Sequence, residues 1–159
     1  MATQNIIQYL ETSQYNALPS GGTVPVGIEA MNRRQMETFI AGAAIAANDL
    51  VALDFSQTAD GDKGITVIKA DSGSTNSICA IGFAINAAAA AGDTVDVTIA
   101  GIHEKANCKT GITKGKPLSI SGVAGQADEY VAGDVVPIVA YATENEAANV
   151  ATVFVIKQF

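Results

Sequence analysis

The sequence predicts an all-β protein: a compact barrel or sandwich made of two pseudo-repeated halves, preceded by an extended N-terminal arm. Three observations carry that expectation. Short apolar or alternating runs recur along the chain, with Gly, Asp and Ser clusters between them. The same order of parts occurs twice. The first forty residues share neither feature, and Pro19-Ser-Gly-Gly-Thr-Val-Pro25 sets most of them apart, a cluster that no helix interior or central strand accommodates.

Residues 1–18 scatter Ile6, Ile7, Tyr9, Leu10, Tyr15 and Leu18 among Gln, Asn, Thr and Ser. Ile6, Ile7 and Leu10 could line one side of a two-turn helix capped by Thr3, but so short a helix is marginal alone. An arm that orders on a neighbour fits better. Residues 28–38 hold good helix formers without a clean period and predict no single element. Residues 1–38 are therefore read as arm and linker, and 39–159 as the β domain.

Within that domain, residues 50–54 (LVALD), 64–70 (GITVIKA) and 94–99 (TVDVTI) alternate or run apolar and predict strands. So do 117–120 (PLSI), 135–139 (VVPIV) and 151–156 (ATVFVI). Turn signals separate them at 59–64, 71–76, 92–93, 122–125 and 133–134. Residues 87–91, all alanine, favour helix by propensity alone. Five residues are barely more than a turn, so a loop or one helical turn is expected there.

The repeat is visible without gaps. IGFAINAAAAAGDTVDV (81–97) aligns on VAYATENEAANVATVFV (139–155), with six of seventeen positions identical, three of them alanine. IAANDLVALD (45–54) aligns on ITKGKPLSIS (112–121), which matches Leu53 with Ile120. Each copy reads as turn, apolar strand, variable hairpin, Ile/Val-x-x-Ala strand, alanine-rich loop and alternating strand. The hairpin segment of the first copy is nine residues longer. Two copies are too few for a solenoid; they predict one pseudo-symmetric barrel whose halves cover each other's edges.

Composition narrows the function. With 159 residues, 48% hydrophobic and 16% charged, the chain has the makings of one packed domain, with or without a tail. A net charge of −7 argues against a nucleic-acid partner, because phosphate binding depends on clustered Lys and Arg. No apolar run reaches the roughly 18 residues that cross a bilayer, so no membrane partner is expected. The opening MATQNIIQYLETSQ has no basic segment followed by an apolar one, and synthesis in a cytosol is expected. The two cysteines then read as free thiols, Cys79 in an apolar run as a small hydrophobe and Cys108 in a polar stretch.

Candidates for chemistry are few. His103, the single histidine, stands beside Glu104 and reads as a solvated loop pair rather than a ligand or base. Asp60-Gly-Asp62 begins like a calcium loop, yet Gly64 and Ile65 occupy positions where an oxygen ligand and the turn glycine belong. It reads as a hairpin tip. Lys63 at its apex is placed like the modified lysine of lipoyl and biotinyl carriers, but Asp62 and Gly64 do not match their flanking motifs. Gly111-Ile-Thr-Lys-Gly-Lys-Pro117 is one residue short of a phosphate loop, with Pro117 where magnesium needs a hydroxyl. Arg33-Arg34 is too small a basic spot to track phosphates. No catalytic residue, no metal site and no cofactor is expected, and function should lie in surfaces.

The phrases FIAGAAIAANDLVAL (39–53), IGFA (81–84), AGDTVDV (91–97) and ITKGKPL (112–118), in that order, resemble the head decoration (cement) proteins of tailed bacteriophages. The resemblance spans roughly residues 39–156. It implies a β-barrel or β-tulip-like domain that forms a homotrimer, or sometimes a dimer, on the outer surface of the capsid. There it would bind and bridge major capsid protein subunits, often through an N-terminal arm. On this reading the capsid contacts are Ile6, Ile7, Tyr9, Leu10, Tyr15 and Leu18. The chain departs from the pattern in a longer N-terminal segment and in Asn48 facing Gly115 as its counterpart. Two alternatives are a phage spike or fibre base on the same barrel and, less favoured without Trp, a carbohydrate-binding module.

Overall fold

The computed structural model describes residues 34–133 and 136–158. These residues form nine strands and no helix: β1 (Gln35–Ala41), β2 (Leu50–Leu53), β3 (Thr66–Lys69), β4 (Ala80–Ala84), β5 (Thr94–Asn107), β6 (Pro117–Ile120), β7 (Ala127–Glu129), β8 (Ala140–Ala142) and β9 (Val150–Val155). The all-β expectation holds and the repeat organises it, with one correction: the halves do not combine into a single barrel, because the first closes on itself and the second forms a further circuit of its own.

The first five strands close on themselves in the order β1-β3-β2-β4-β5, and β5 pairs back onto β1. One contact in this circuit is parallel, Ile40 and Ala41 of β1 against Thr66 and Val67 of β3; the rest are antiparallel. Closure leaves no free edge. Alternation turns Val51, Val67, Ile81, Val95 and Val97 into the barrel, where they pack with Phe39 and Ile45. Removing such side chains from water is the main term that holds the barrel together, at about 1.5–3 kcal/mol each.

β5 is fourteen residues long because it serves twice. Its first half closes the first barrel. Its second half opens a further circuit, β5-β9-β8-β6-β7, which a parallel bridge between Cys108 and Ala127 completes. The pairings repeat those of the first half. Leu53 faces Val67 as Ile120 faces Ala127, and Val51 faces Gly82 as Leu118 faces Ala140. Turn bonds repeat too: Asn48 N–H donates to Ala84 C=O at 2.7 Å, and Gly115 N–H to Ala142 C=O at 2.8 Å. Both donors lie in the left-handed region, at φ 71° and 84°. Asparagine tolerates that conformation better than most side chains do, so the Asn48/Gly115 difference leaves the turn unchanged.

Registers also locate the length differences. The nine extra residues of the first copy fall as seven between β2 and β3 and two between β3 and β4. The gapless alignment of 81–97 on 139–155 needs one correction. Ala84 pairs with Val97, but Ala142 pairs with Val153 rather than Val155, so the alanine-rich loop is two residues shorter in the second copy. A slip of two preserves the face, and Val95, Val97, Val153 and Val155 are all buried.

Other boundaries moved for physical reasons. β1 starts at Gln35, four residues before the expected edge of the domain, because pairing on β5 holds residues whose own pattern is not strand-like. In the expected strand 135–139, Pro137 lacks an N–H, and the described residues 136–139 precede β8 instead of forming it. Residues 87–91 contain no helical turn; Ala88 exchanges two backbone bonds with Ile45.

Candidate functional site

The two barrels meet along the outer face of β2 and β4. Leu50, Ala52, Ala70, Ala80 and Phe83 point away from the first barrel and belong to the same buried cluster as the interior of the second. The β6–β7 turn reaches across: Leu50 N–H donates to Gly125 C=O at 2.8 Å, and Gly125 N–H to Ala70 C=O at 2.9 Å. Gly125 needs both its φ of 83° and its missing side chain, because a Cβ there would stand 2.9 Å from the Asp49 carboxyl carbon. Asp49, only 3% exposed, accepts from Ala46 N–H, Asn107 Nδ2 and Lys69 Nζ, each at 2.9 Å. These bonds tie β5 and β3 to the turn before β2.

His103 sits in the same junction, which corrects its reading as a solvated loop residue. It is 2% exposed and stacks on Phe83 with ring centroids 5.3 Å apart. Asn48 Oδ1 lies 3.3 Å from Nε2, and Thr98 Oγ1 lies 3.0 Å from Nδ1. A neutral ring satisfies both: Nε2–H donates to Asn48, and the Thr98 hydroxyl donates to Nδ1. Burial, reinforced by the charge of Arg34, pushes the imidazole pKa down to about 4. His103 is a neutral packing residue.

The cysteines exchange the places expected of them. Cys108, the counterpart of Ala41, points into the second barrel and is fully buried, while Cys79 is only partly buried. Both are free thiols, and burial pushes the Cys108 thiol up to about 12, far from a nucleophile's range.

The remaining motifs resolve into turns. Asp60 Oδ1 accepts from Lys63 Nζ at 2.8 Å, a surface pair at the exposed tip of the β2–β3 connection. Along 111–114, the backbone donors that a phosphate would need are taken by the chain's own acceptors. Gly111 N–H bonds Glu146, Thr113 N–H bonds Glu129 and Lys114 N–H bonds Asn145. The bonds from Gly111 and Asn149 hold the Glu146 carboxyl below the usual carboxylate range. An open cleft at the junction, of about 380 Å³, contains Asp128 and Glu129, already bonded to Lys109 and Thr113. Among the described residues no group of three or more His, Cys, Asp or Glu is arranged to hold a metal, and no helix is long and apolar enough to cross a membrane.

What stands out instead is a surface. On the outer face of the second barrel, Ile102 faces Phe154, Phe154 faces Tyr141, and Tyr141 faces Pro117. The row crosses four strands. Tyr141 and Phe154 are each 42% exposed. Sequence reading missed it because these residues lie far apart in the chain and only strand register makes them neighbours. The contacts it proposed, Ile6, Ile7, Tyr9, Leu10, Tyr15 and Leu18, lie outside the described residues.

No family profile matches the chain, and no curated protein matches it. Among solved structures, it is similar to the N base of the head fiber gp8.5 of bacteriophage phi29, with a TM-score of 0.53 and 18% identity. The likeness covers 77% of this chain and 94% of that one. Neither barrel alone amounts to that share, so the shared fold extends over both halves.

Proposed function

We propose that this protein is a non-catalytic structural component of a bacteriophage virion, attached to the outer surface of the head. The observation that carries the reading is the fold shared, across both barrels, with a phage head-fibre base. The ordered phrases that resemble head decoration proteins support it independently. The site chemistry is consistent: His103 and Cys108 are consumed by packing, and the features left at the surface are apolar and polar contact faces.

Within that class the finer proposal is a decoration protein that bridges major capsid protein subunits as a homotrimer. The N-terminal segment, through Ile6, Ile7, Tyr9, Leu10, Tyr15 and Leu18, reaches a neighbouring subunit. A second reading, the base of a head fibre, is favoured by the likeness to the phi29 fibre base. Titration of emptied, expanded capsids with purified protein separates them. A decoration protein saturates at a stoichiometry set by the capsid lattice and raises the capsid's heat resistance. A fibre base occupies sparser sites. No binding to heads at all contradicts both.

A further inference from the structure

We propose that Lys69 and Asn107 join through an intramolecular isopeptide bond, formed by the protein itself with Asp49 as the proton carrier. One carboxylate holds both partners. Lys69 Nζ lies 2.9 Å from Asp49 Oδ2, and Asn107 Nδ2 donates to Asp49 Oδ1 at 2.9 Å. Asp49 is 3% exposed, and Ala46 N–H donates to its Oδ2 from the turn before β2. The amide is held at its other end as well, because Gln126 Nε2 donates to Asn107 Oδ1 at 3.2 Å. An amine, an amide carbonyl, a carboxylate shared between them and a donor on the carbonyl oxygen are the parts that acyl transfer to an amine requires. The fold itself does not demand them. By strand register the counterparts of Asp49, Lys69 and Asn107 are Lys116, Glu129 and Ile40, and Ile40 has no amide to offer.

The step balances on these groups. The Lys69 ammonium gives one proton to Asp49, and the free amine attacks Cγ of Asn107. A bond forms between Nζ and Cγ while negative charge gathers on Oδ1, where Gln126 Nε2–H already donates. Asp49 passes its proton to Nδ2 and takes one from Nζ. The Cγ–Nδ2 bond then breaks. Ammonia departs with the remaining proton as ammonium, and Asp49 is left as a carboxylate. The Lys69 side chain is 37% exposed, so its flexible stem can swing Nζ onto the fixed amide and the ammonia has a way out. The reaction runs once per chain and is not turnover. Its product ties β3 of the first half to the end of β5 across the junction. Residues 69–107 become a covalent loop, which restricts the unfolded chain as a disulfide does. The chemistry draws on the junction alone and holds whether or not the protein sits on a phage head.

Intact-mass spectrometry of the full chain, folded, stored at neutral pH and then denatured, reads the bond directly. Wild type should weigh one ammonia less than its sequence requires. Trypsin does not cut after an acylated lysine, so its digest should contain residues 64–105, uncut at Lys69, joined to residues 106–109. Lys69→Arg keeps a cation opposite Asp49 without a nucleophilic amine, and Asp49→Asn removes the proton carrier. Both variants should keep the full mass of their own sequences. Wild type at full sequence mass overturns the proposal. So does an ammonia loss without the joined peptides, which would be an asparagine closing on its own backbone, and so does a loss that persists in either variant.

Discussion

At the level of single residues, burial decides what each titratable or reactive group can do. His103 has a folded pKa of about 4 against an ordinary value of 6.5. The unfolded chain therefore binds a proton that the folded protein refuses. Stability should fall as pH drops from 6.5 to 4, by on the order of 3 kcal/mol, and gain nothing from this group above 6.5. Asp54 does not contribute in that window: burial opposes its charge, but bonds from Ser56 and Gln57 outweigh burial and hold its pKa below the usual carboxylate range. The direct check is an NMR titration of the imidazole, expected to show no midpoint above about 5; a midpoint near 6.5 would contradict the buried, neutral ring. The sequence reading missed this. Gly-Ile-His-Glu-Lys reads as polar from Glu104 and Lys105, which are exposed, although the alternation that buries Val95, Val97, Ile99 and Gly101 continues to His103; the bulge between His103 and Ala106 breaks it only afterwards. Cys108 was misread for the same reason.

Among the strands, the repeat makes quantitative demands on individual glycines. At Gly82 a Cβ would lie 1.9 Å from the Thr98 carbonyl oxygen, so β4 and β5 must separate to admit it. Gly82→Ala should destabilise by roughly 2 kcal/mol or more, read as a lower urea midpoint. Gly115 has open space and differs from Asn48 only in side chain. Gly115→Asn should stay within about 0.5 kcal/mol of wild type, while Gly115→Val should cost more than 1 kcal/mol, because a β-branched residue resists positive φ. Equal urea midpoints for the Asn and Val variants would dismiss the equivalence of the two turns. The matching of Leu53 with Ile120 was readable because a short apolar strand follows a turn of fixed length in both copies. The last strand was misplaced by two because a loop rich in alanine aligns with itself at several offsets. β7 was invisible: three residues, Ala-Asp-Glu, become strand only through pairing with β6.

For the molecule as a whole, the two halves share one continuous strand, and their corresponding outer faces differ in exposure. The sequence conveyed the class of this fold through repeated order of parts, whereas its exposed apolar face depends on register across four strands. In the function proposed above, the N-terminal segment would add a separate attachment. Burying four or five of its large side chains on a neighbour is worth on the order of 5–10 kcal/mol gross, most of it offset by the entropy of ordering the arm. Deleting residues 2–18 should leave the barrels folded with an unchanged urea midpoint, yet lower both affinity for capsids and the heat resistance they gain. Undiminished affinity and protection would shift the attachment to the barrels themselves.

The central claim is placement on a phage head, and a cryo-microscopy reconstruction of the particle that carries this protein tests it most directly. The account predicts paired-barrel density on the outside of the head shell, in contact with major capsid protein subunits. Absence of that density from the particle, or its location in the tail or the head interior, would contradict the account.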